Sequence, residues 1–134
     1  MRGFVVAFGA VAALTMMMAS IVLAADAGRW MSGQKADIAG VSASQHQVWG
    51  SNPDHGKIMG VHVVGDYAMD VWSEEHICCP SAVFKRVAGQ QWKRLTGSGG
   101  DSPIAISDIV SSGVPTSVAH ELCSGWPKGY GPCD

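Results

Sequence analysis

The sequence predicts an α+β domain, in which a small antiparallel four-stranded sheet packs against N- and C-terminal helices and is braced by disulfides. Three observations support this fold class. Two pairs of β-rich runs each surround a short break, apolar residues recur at helical spacing before and after them, and four cysteines occur in 134 residues. This pattern is typical of two hairpins with covering helices.

The first 25 residues have the layout of a secretory signal peptide. A single cation, Arg2, precedes an apolar run from Phe4 to Met18, and small residues lead to Ala24-Ala25-Asp26-Ala27. Cleavage after Ala24 and cleavage after Ala27 are both compatible with this pattern. An uncleaved anchor is the alternative, because Phe4 to Ala25 is just long enough to cross a bilayer. We favour cleavage, since glycine and hydroxyl residues weaken the span and no basic cluster follows it.

Removal of this leader leaves residues 26–134, enough for one compact domain and too few for two. Without Arg2, the nine basic residues become eight, against eleven acidic ones, and they form no basic stripe. Nucleic acid is not an expected partner, because its binding depends on clustered Lys and Arg. The predicted location is the periplasm or the extracellular space, with membrane contact only through an uncleaved leader.

The exported part begins with a polar stretch, 28–35, that we expect to be frayed. Apolar residues from Ala36 to Trp49 then recur at intervals compatible with one helical face. Turn-forming residues at 50–54 end this predicted N-terminal helix.

Two hairpins follow. Ile58 to Val64 is rich in β-branched residues, Gly65-Asp66 interrupts it, and Tyr67 to Ser73 alternates, which predicts a hairpin with a two-residue turn. A second hairpin joins Ala82–Val87 to Gln91–Thr96 across residues 88–90, with Phe84 and Trp92 as its expected anchors. These four strands predict an antiparallel sheet with one face to be covered.

The cover is expected after the glycine-rich break at 97–100. Asp101 and Ser102 are suited to cap a helix that opens with Pro103 and has an apolar stripe formed by Ile106, Ile109 and Val110. A second helix is predicted to open with Pro115, with one side formed by Val118, Ala119, Leu122 and Cys123. The tail, 124–134, is too rich in glycine and proline to be regular.

All four cysteines lie in the exported part, which predicts two disulfides in an oxidising compartment. They are Cys78, Cys79, Cys123 and Cys133. Three pairings are possible, and the one that joins the neighbours Cys78 and Cys79 closes a strained ring. We therefore expect each neighbour to bond one of the two C-terminal cysteines, and which bonds which stays open.

Several short sequence motifs, in this order along the chain, carry a resemblance to a known family. They are Val63-Val64-Gly65-Asp66-Tyr67-Ala68, Trp72, Ala82-Val83-Phe84-Lys85-Arg86, Gly89-x-x-Trp92, Asp108-Ile109-Val110 and Gly113-Val114-Pro115. Over residues 38–122 the chain resembles a family of small exported bacterial proteins labelled copper uptake system-associated proteins. The resemblance implies an association with periplasmic copper handling. The chain departs from this family's pattern at Cys78-Cys79-Pro80, at Thr96-Gly97-Ser98 and in its cysteine-tied tail, as a disulfide-braced variant would.

Copper favours thioether, thiolate and imidazole ligands. Candidates of these types are His46, His55, Met59, His62, Met69 and His76. Our hypothesis for a metal site is His55, Met59 and His76, which meet if the loops gather at one end of the sheet. His62 and Met69 flank the first hairpin and are compatible with a shared face. The alternative is that Met69 packs in the core and the histidines lie on the surface.

The sequence contains no nucleophile elbow and no paired carboxylates in a recognisable frame, so neither motif indicates catalysis. We therefore expect a non-enzymatic accessory binding protein, linked through the resemblance to copper homeostasis. The alternative is a protein-binding module, such as an inhibitor or immunity-type partner of an exported enzyme. A rigid, disulfide-tied tail suits that role because little ordering entropy remains to be lost on docking. Trp126 and Tyr130 in this tail are the candidate partner surface.

Overall fold

A computed structural model of the chain describes residues 30–50, 56–74, 77–99 and 102–133, apart from the side chains of residues 74, 77 and 78. The predicted signal peptide, residues 1–25, lies outside the described residues. Within the described part, no helix combines the length and the apolar character needed to cross a membrane.

The described chain forms five strands and three helices. In order they are β1 (Trp30–Ser32), α1 (Lys35–Trp49), β2 (Lys57–Val64), β3 (Tyr67–Glu74), β4 (Ile77–Ala88), β5 (Gln91–Gly97), α2 (Ile106–Ser111) and α3 (Thr116–Cys123). The strands make one sheet in sequence order. The β1 and β2 strands are parallel, and every other neighbouring pair is antiparallel. The α+β class is therefore confirmed.

The expectation of four antiparallel strands was wrong, because the sheet has five strands and is mixed. The extra strand is Trp30–Ser32, which lies in the stretch expected to be frayed. It pairs with Gly60–His62 of β2 in parallel. A three-residue strand has no sequence pattern of its own, and tertiary packing of the Trp30 ring supplies the contacts that hold it at the sheet edge.

Both predicted hairpins are present. The β2 and β3 strands meet at Gly65-Asp66, and β4 and β5 meet at Gly89-Gln90, close to the predicted break. Gly65 and Gly89 have φ values of 59° and 52°, which glycine adopts without the cost that a side chain would add. The β4 strand is longer than predicted, because it begins at Ile77 and includes the cysteine pair.

Helices cover both faces of the sheet, whereas the sequence indicated one face to be covered. The face under α1 packs Val41 of that helix against Ile58, Val61, Ala68, Trp72, Ala82, Phe84 and Trp92. The opposite face packs Met69 and Val83 against Ile104, Ile109, Val114, Ala119 and Leu122. Neighbouring strand residues alternate between the two cores because successive side chains point to opposite faces. Phe84 and Trp92 are confirmed as core anchors.

The predicted start of the first C-terminal helix was wrong. The α2 helix begins at Ile106, with Ala105 as its N-cap, so Pro103 does not open it. The reason is tertiary: the Ile104 N–H donates to the Pro132 carbonyl (2.8 Å), and Ile104 forms a parallel bridge with Cys133. This pairing keeps the chain extended before the helix. The second predicted helix is present as α3, which begins at Thr116 with Pro115 as its N-cap, one residue after the predicted start, and has Ala119 and Leu122 buried.

Gly40 lets α1 approach the second hairpin closely. A Cβ atom at this position would lie 2.6 Å from the Gln90 carbonyl oxygen and 2.8 Å from Trp92 Nε1. Both distances are too short for real contacts, and the first involves backbone that cannot move away freely. The glycine is therefore retained inside a helix, where it is a poor helix former.

Gly40→Ala should destabilise the protein, although alanine is the better helix former by about 1 kcal/mol. Overpacking of this kind typically costs about 1–3 kcal/mol, and chemical denaturation monitored by tryptophan fluorescence measures it. The matched variant is Ala39→Gly at the exposed neighbouring position, which reports helix propensity alone. Greater stability of Gly40→Ala than of the parent protein would contradict the packing argument.

Candidate functional site

Three aromatic rings meet at the β1 edge of the sheet. Trp30 lies on β1, His62 lies on β2 and Trp126 lies in the tail after α3. The ring centroids of Trp30 and Trp126 are 4.6 Å apart, and His62 lies 5.1 Å from Trp30 and 6.0 Å from Trp126. All three residues are half-buried. We call these residues the aromatic cluster.

Gly60 makes room for the aromatic cluster. A Cβ atom at this position would lie 2.6 Å from Trp126 Cζ3 and 2.8 Å from the Trp30 carbonyl oxygen. Trp126 Nε1 donates a hydrogen bond to the Leu122 carbonyl (2.7 Å) at the end of α3. Leu122 lies in the last turn of α3, so no N–H of a following helical turn is available to its carbonyl. The indole N–H of Trp126 takes that place. Trp126 is therefore an anchor of the tail, and part of its ring stays accessible.

The tail is also held covalently. Cys123 at the end of α3 is bonded to Cys133, with a Cα–Cα distance of 5.6 Å. Cys133 Sγ lies 3.9 Å from the Met69 thioether in the core below. A covalent bond, a β-bridge and a packed indole therefore fix the irregular tail against the sheet.

The expected disulfide pairing was wrong. Cys123 and Cys133 are bonded to each other, so neither is available to Cys78 or Cys79. The physical reason is the bridge between Ile104 and Cys133, which returns the tail to the end of α3. Cys79 is also disulfide-bonded, and its Sγ lies 3.8 Å from the Gly129 carbonyl oxygen. The side chain of Cys78 lies outside the described residues. None of the described cysteines is a free thiol.

His62 is the titratable member of the aromatic cluster. Burial lowers its pKa, and the Leu122 carbonyl and the charge of Glu121 oppose this effect more weakly. Its Nδ1 lies 3.4 Å from the Leu122 oxygen, so a proton on Nδ1 is the one that has an acceptor. His62 is the cross-strand partner of Met69, which confirms that the two share a face. Met69 is fully buried, as the core alternative predicted.

Of the hypothesised metal ligands, only Met59 can be placed. It lies at the irregularity between Ile58 and Gly60 in β2 and is half-buried. His55 and His76 lie outside the described residues. Within the described ranges, no three His, Cys, Asp or Glu residues form a group that could hold a metal ion. The site of His55, Met59 and His76 therefore stays a prediction.

Tyr130, the second residue of the predicted partner surface, lies in the same tail as Trp126. Its backbone N–H donates to the Pro127 carbonyl (3.1 Å) in a turn. The residue is half-buried. The two aromatic residues of the predicted surface therefore belong to a segment with a fixed backbone path.

Asp70 is a buried acid that the sequence analysis did not single out. It is fully buried in β3 under α1. With the Gln45 amide oriented so that both of its atoms find partners, Gln45 Nε2 donates to Asp70 Oδ2 (3.1 Å) and Oε1 accepts from Trp49 Nε1. Asp70 Oδ1 has no hydrogen-bond partner among the described residues. The alternation from Ala68 to Trp72 already places position 70 on the core face, and that signal was available.

Burial raises the pKa of Asp70 well above its ordinary value. Hydrogen bonding from the Ala82 backbone and the positive charge of Arg94 lower it by less. A lone carboxylate in an apolar core is costly, so the neutral acid is the favoured form there. Asp70 is inaccessible to any ligand, and its chemistry is that of a core polar group.

Arg86 ties α1 to the two hairpins. Its guanidinium donates to Asp37 (2.8 Å) and to Asp66 (3.1 Å) and lies 4.5 Å above the Trp92 ring. The hydrogen bond to Asp37 is the main cause that raises the pKa of Arg86 above its ordinary value. These three charged residues line an open cavity of about 380 Å³ together with Gly33, Gln34, Val63 and Gly65. The Arg86 charge is paired with both carboxylates, and the three residues together carry a net charge of −1.

No family model, curated protein or solved structure matches this chain.

Asp70→Asn should stabilise the protein at neutral pH. The folded-state pKa of Asp70 is raised, so its contribution to stability is complete below the unfolded pKa of about 3.9 and is lost as the pH rises towards the folded value. Asparagine has no such loss, so its advantage over the parent protein should grow between about pH 4 and pH 7. Each unit of raised pKa corresponds to about 1.4 kcal/mol.

Urea unfolding of both proteins over this pH range measures the effect. Asp108→Asn, at an exposed position of α2, is the matched control and should show no such growth. A pH-independent difference between Asp70→Asn and the parent would contradict protonation of Asp70 in the fold.

Proposed function

We propose that this chain is a non-enzymatic accessory binding protein of the periplasm or extracellular space, with copper homeostasis as its context. One observation carries the copper proposal: Lys57 at the start of β2 and Ser73 near the end of β3 are cross-strand partners. The chain therefore enters β2 and leaves β3 at one end of the sheet. His55 and His76 flank these positions in the sequence, and Met59 lies at the same end.

The disulfides support export and limit the ligand chemistry. A bond between Cys123 and Cys133 persists in oxidising compartments, as does the bond formed by Cys79. Bonded sulfur is not a thiolate, so these three cysteines are removed from the soft ligands that copper prefers. Imidazole and thioether remain, and both types are represented by His55, Met59 and His76.

The absence of catalysis is part of the proposal and has chemical support. A catalytic group must reach a substrate, and Asp70 is fully buried. Arg86 is already bonded to two carboxylates. His62 is enclosed by two indole rings and the end of α3. These are the charged and titratable groups with the most distinctive surroundings in the described residues, and none is arranged for acid–base or nucleophilic work.

The oxidised mature protein should take up Cu(I) with a defined stoichiometry under anaerobic conditions. Competition with a coloured Cu(I) chelator measures the binding. Replacement of His55, Met59 and His76 together by alanine should abolish it, because all the proposed ligands are then lost. Unchanged uptake by this triple variant would contradict the site, and no uptake by the parent would contradict the copper context.

The matched control replaces His46 and His120, which are both exposed and lie on α1 and α3. This control variant should retain the parent affinity for Cu(I) within about two-fold, because His46 and His120 are not among the proposed ligands. If Cu(I) bound surface histidines nonspecifically, the control would lose as much binding as the triple variant. Circular dichroism before the titration checks that both variants keep the sheet.

A protein-binding module is the second candidate, and the fixed tail favours it. The Cys123–Cys133 bond, the bridge from Ile104 to Cys133 and the anchored Trp126 hold an irregular segment in one position. A surface that is already ordered loses little entropy on docking. Tyr130 and the accessible part of Trp126 are then the contact residues of the tail.

A pull-down with the immobilised mature protein from extract of its own compartment should recover one dominant partner. Cys123→Ser/Cys133→Ser should lose this partner, because the tail is then no longer held to α3. The double variant of His46 and His120 described above should retain it. An empty lane at high load, or equal capture by the cysteine variant, would contradict a partner surface on the tail.

A further inference from the structure

Two lysines lie directly opposite each other on neighbouring strands. Lys85 of β4 pairs with Lys93 of β5, and Lys85 also pairs with Tyr67 of β3. Cross-strand partners project from the same face, so the three side chains form one row. Both lysines are exposed, and Lys85 Nζ lies 5.9 Å from the centre of the Tyr67 ring.

Like charges at directly opposed positions destabilise a sheet. Neither Lys85 nor Lys93 forms an ion pair with any residue of the described ranges. Arg86 shows the contrast: it follows Lys85 in β4 and lies on the opposite face, where Asp37 and Asp66 pair with it. The whole chain has a net charge of −2, so this local excess of positive charge runs against its composition.

The row lies where the helical cover of this face ends. Tyr67 packs against the core formed by α2 and α3 and is half-buried. Lys85 and Lys93 lie beyond it, towards the sheet edge formed by β5, and are exposed. The open part of the face thus combines two unneutralised ammonium groups with the accessible part of the Tyr67 ring.

We propose that Tyr67, Lys85 and Lys93 form a docking surface for an extended acidic segment of a partner protein. Alternate residues of an extended chain point to one side, at about 7 Å spacing, which two flexible lysines on adjacent strands can both reach. Carboxylates from such a segment neutralise the opposed charges. A peptide is favoured over a lone anion because the accessible part of the Tyr67 ring adds apolar contact. This surface deepens the second candidate function, on which it rests, and is separate from the tail.

Fluorescence anisotropy with a labelled peptide of alternating glutamate and alanine tests the surface. The mature protein should bind this probe at low ionic strength, and Lys85→Gln/Lys93→Gln should weaken binding at least ten-fold. Lys57→Gln/Lys128→Gln removes the same charge from two other exposed lysines and should stay within two-fold of the parent. Equal weakening in both variants, or none in the first, would overturn the proposal.

Inorganic phosphate and phosphatidylglycerol vesicles distinguish the other anions. Binding of either one, lost in Lys85→Gln/Lys93→Gln while the peptide does not bind, would overturn the assignment to a protein partner. The pull-down tests the tail independently of the peptide assay. A partner that is captured through the tail, while the mature protein does not bind the acidic peptide, would overturn the lysine surface and leave the protein-binding function intact.

Lys93→Glu separates docking from strand protection. It places a carboxylate opposite Lys85, so the melting temperature should rise while peptide binding falls at least ten-fold. A role limited to keeping the β5 edge soluble predicts no effect on the peptide. Unchanged peptide binding by Lys93→Glu would therefore contradict the docking surface.

Discussion

The structure depends on covering both faces of one sheet. Side chains of β2, β3 and β4 alternate between a core under α1 and a core under α2 and α3. Ala68 and Met69 are neighbours in the chain, yet they belong to different cores and both are fully buried. Because each face must be sealed by a separate element, the N-terminal helix and the C-terminal helices have distinct and equally necessary roles.

The C-terminal tail completes the second cover. Two short helices leave the β1 edge of that face open, and Trp126 fills it by packing on Trp30 above Gly60. The Cys123–Cys133 bond holds the tail in this position. One consequence is the fifth strand, since Trp30 joins the sheet where the tail gives its ring a partner. The copper and protein-binding proposals concern different regions, because Met59 lies at the start of β2 and the fixed surface lies on the tail.

Three of the charged sites described above have different environments, which explain their different roles. Asp70 is buried with an amide partner and has a raised pKa, so it belongs to the core. Arg86 is neutralised by two carboxylates and connects α1 to the hairpins. Lys85 and Lys93 are exposed, opposed and without an ion pair in the described chain. Of these three arrangements, only the last combines directly opposed like charges with exposure, which is why the docking proposal is placed there.

Local periodicity and turn residues were enough to predict the α+β class, the two hairpins, α1 and the helix that follows Pro115. The sequence also placed Phe84 and Trp92 in the core. Three features were visible only in the folded chain: Trp30–Ser32 is a strand, α2 starts at Ile106, and Cys123 bonds Cys133. Each of these depends on contacts between segments far apart in the chain, such as Ile104 with Cys133. Such contacts have no local pattern, because their free energy comes from surfaces that exist only after folding.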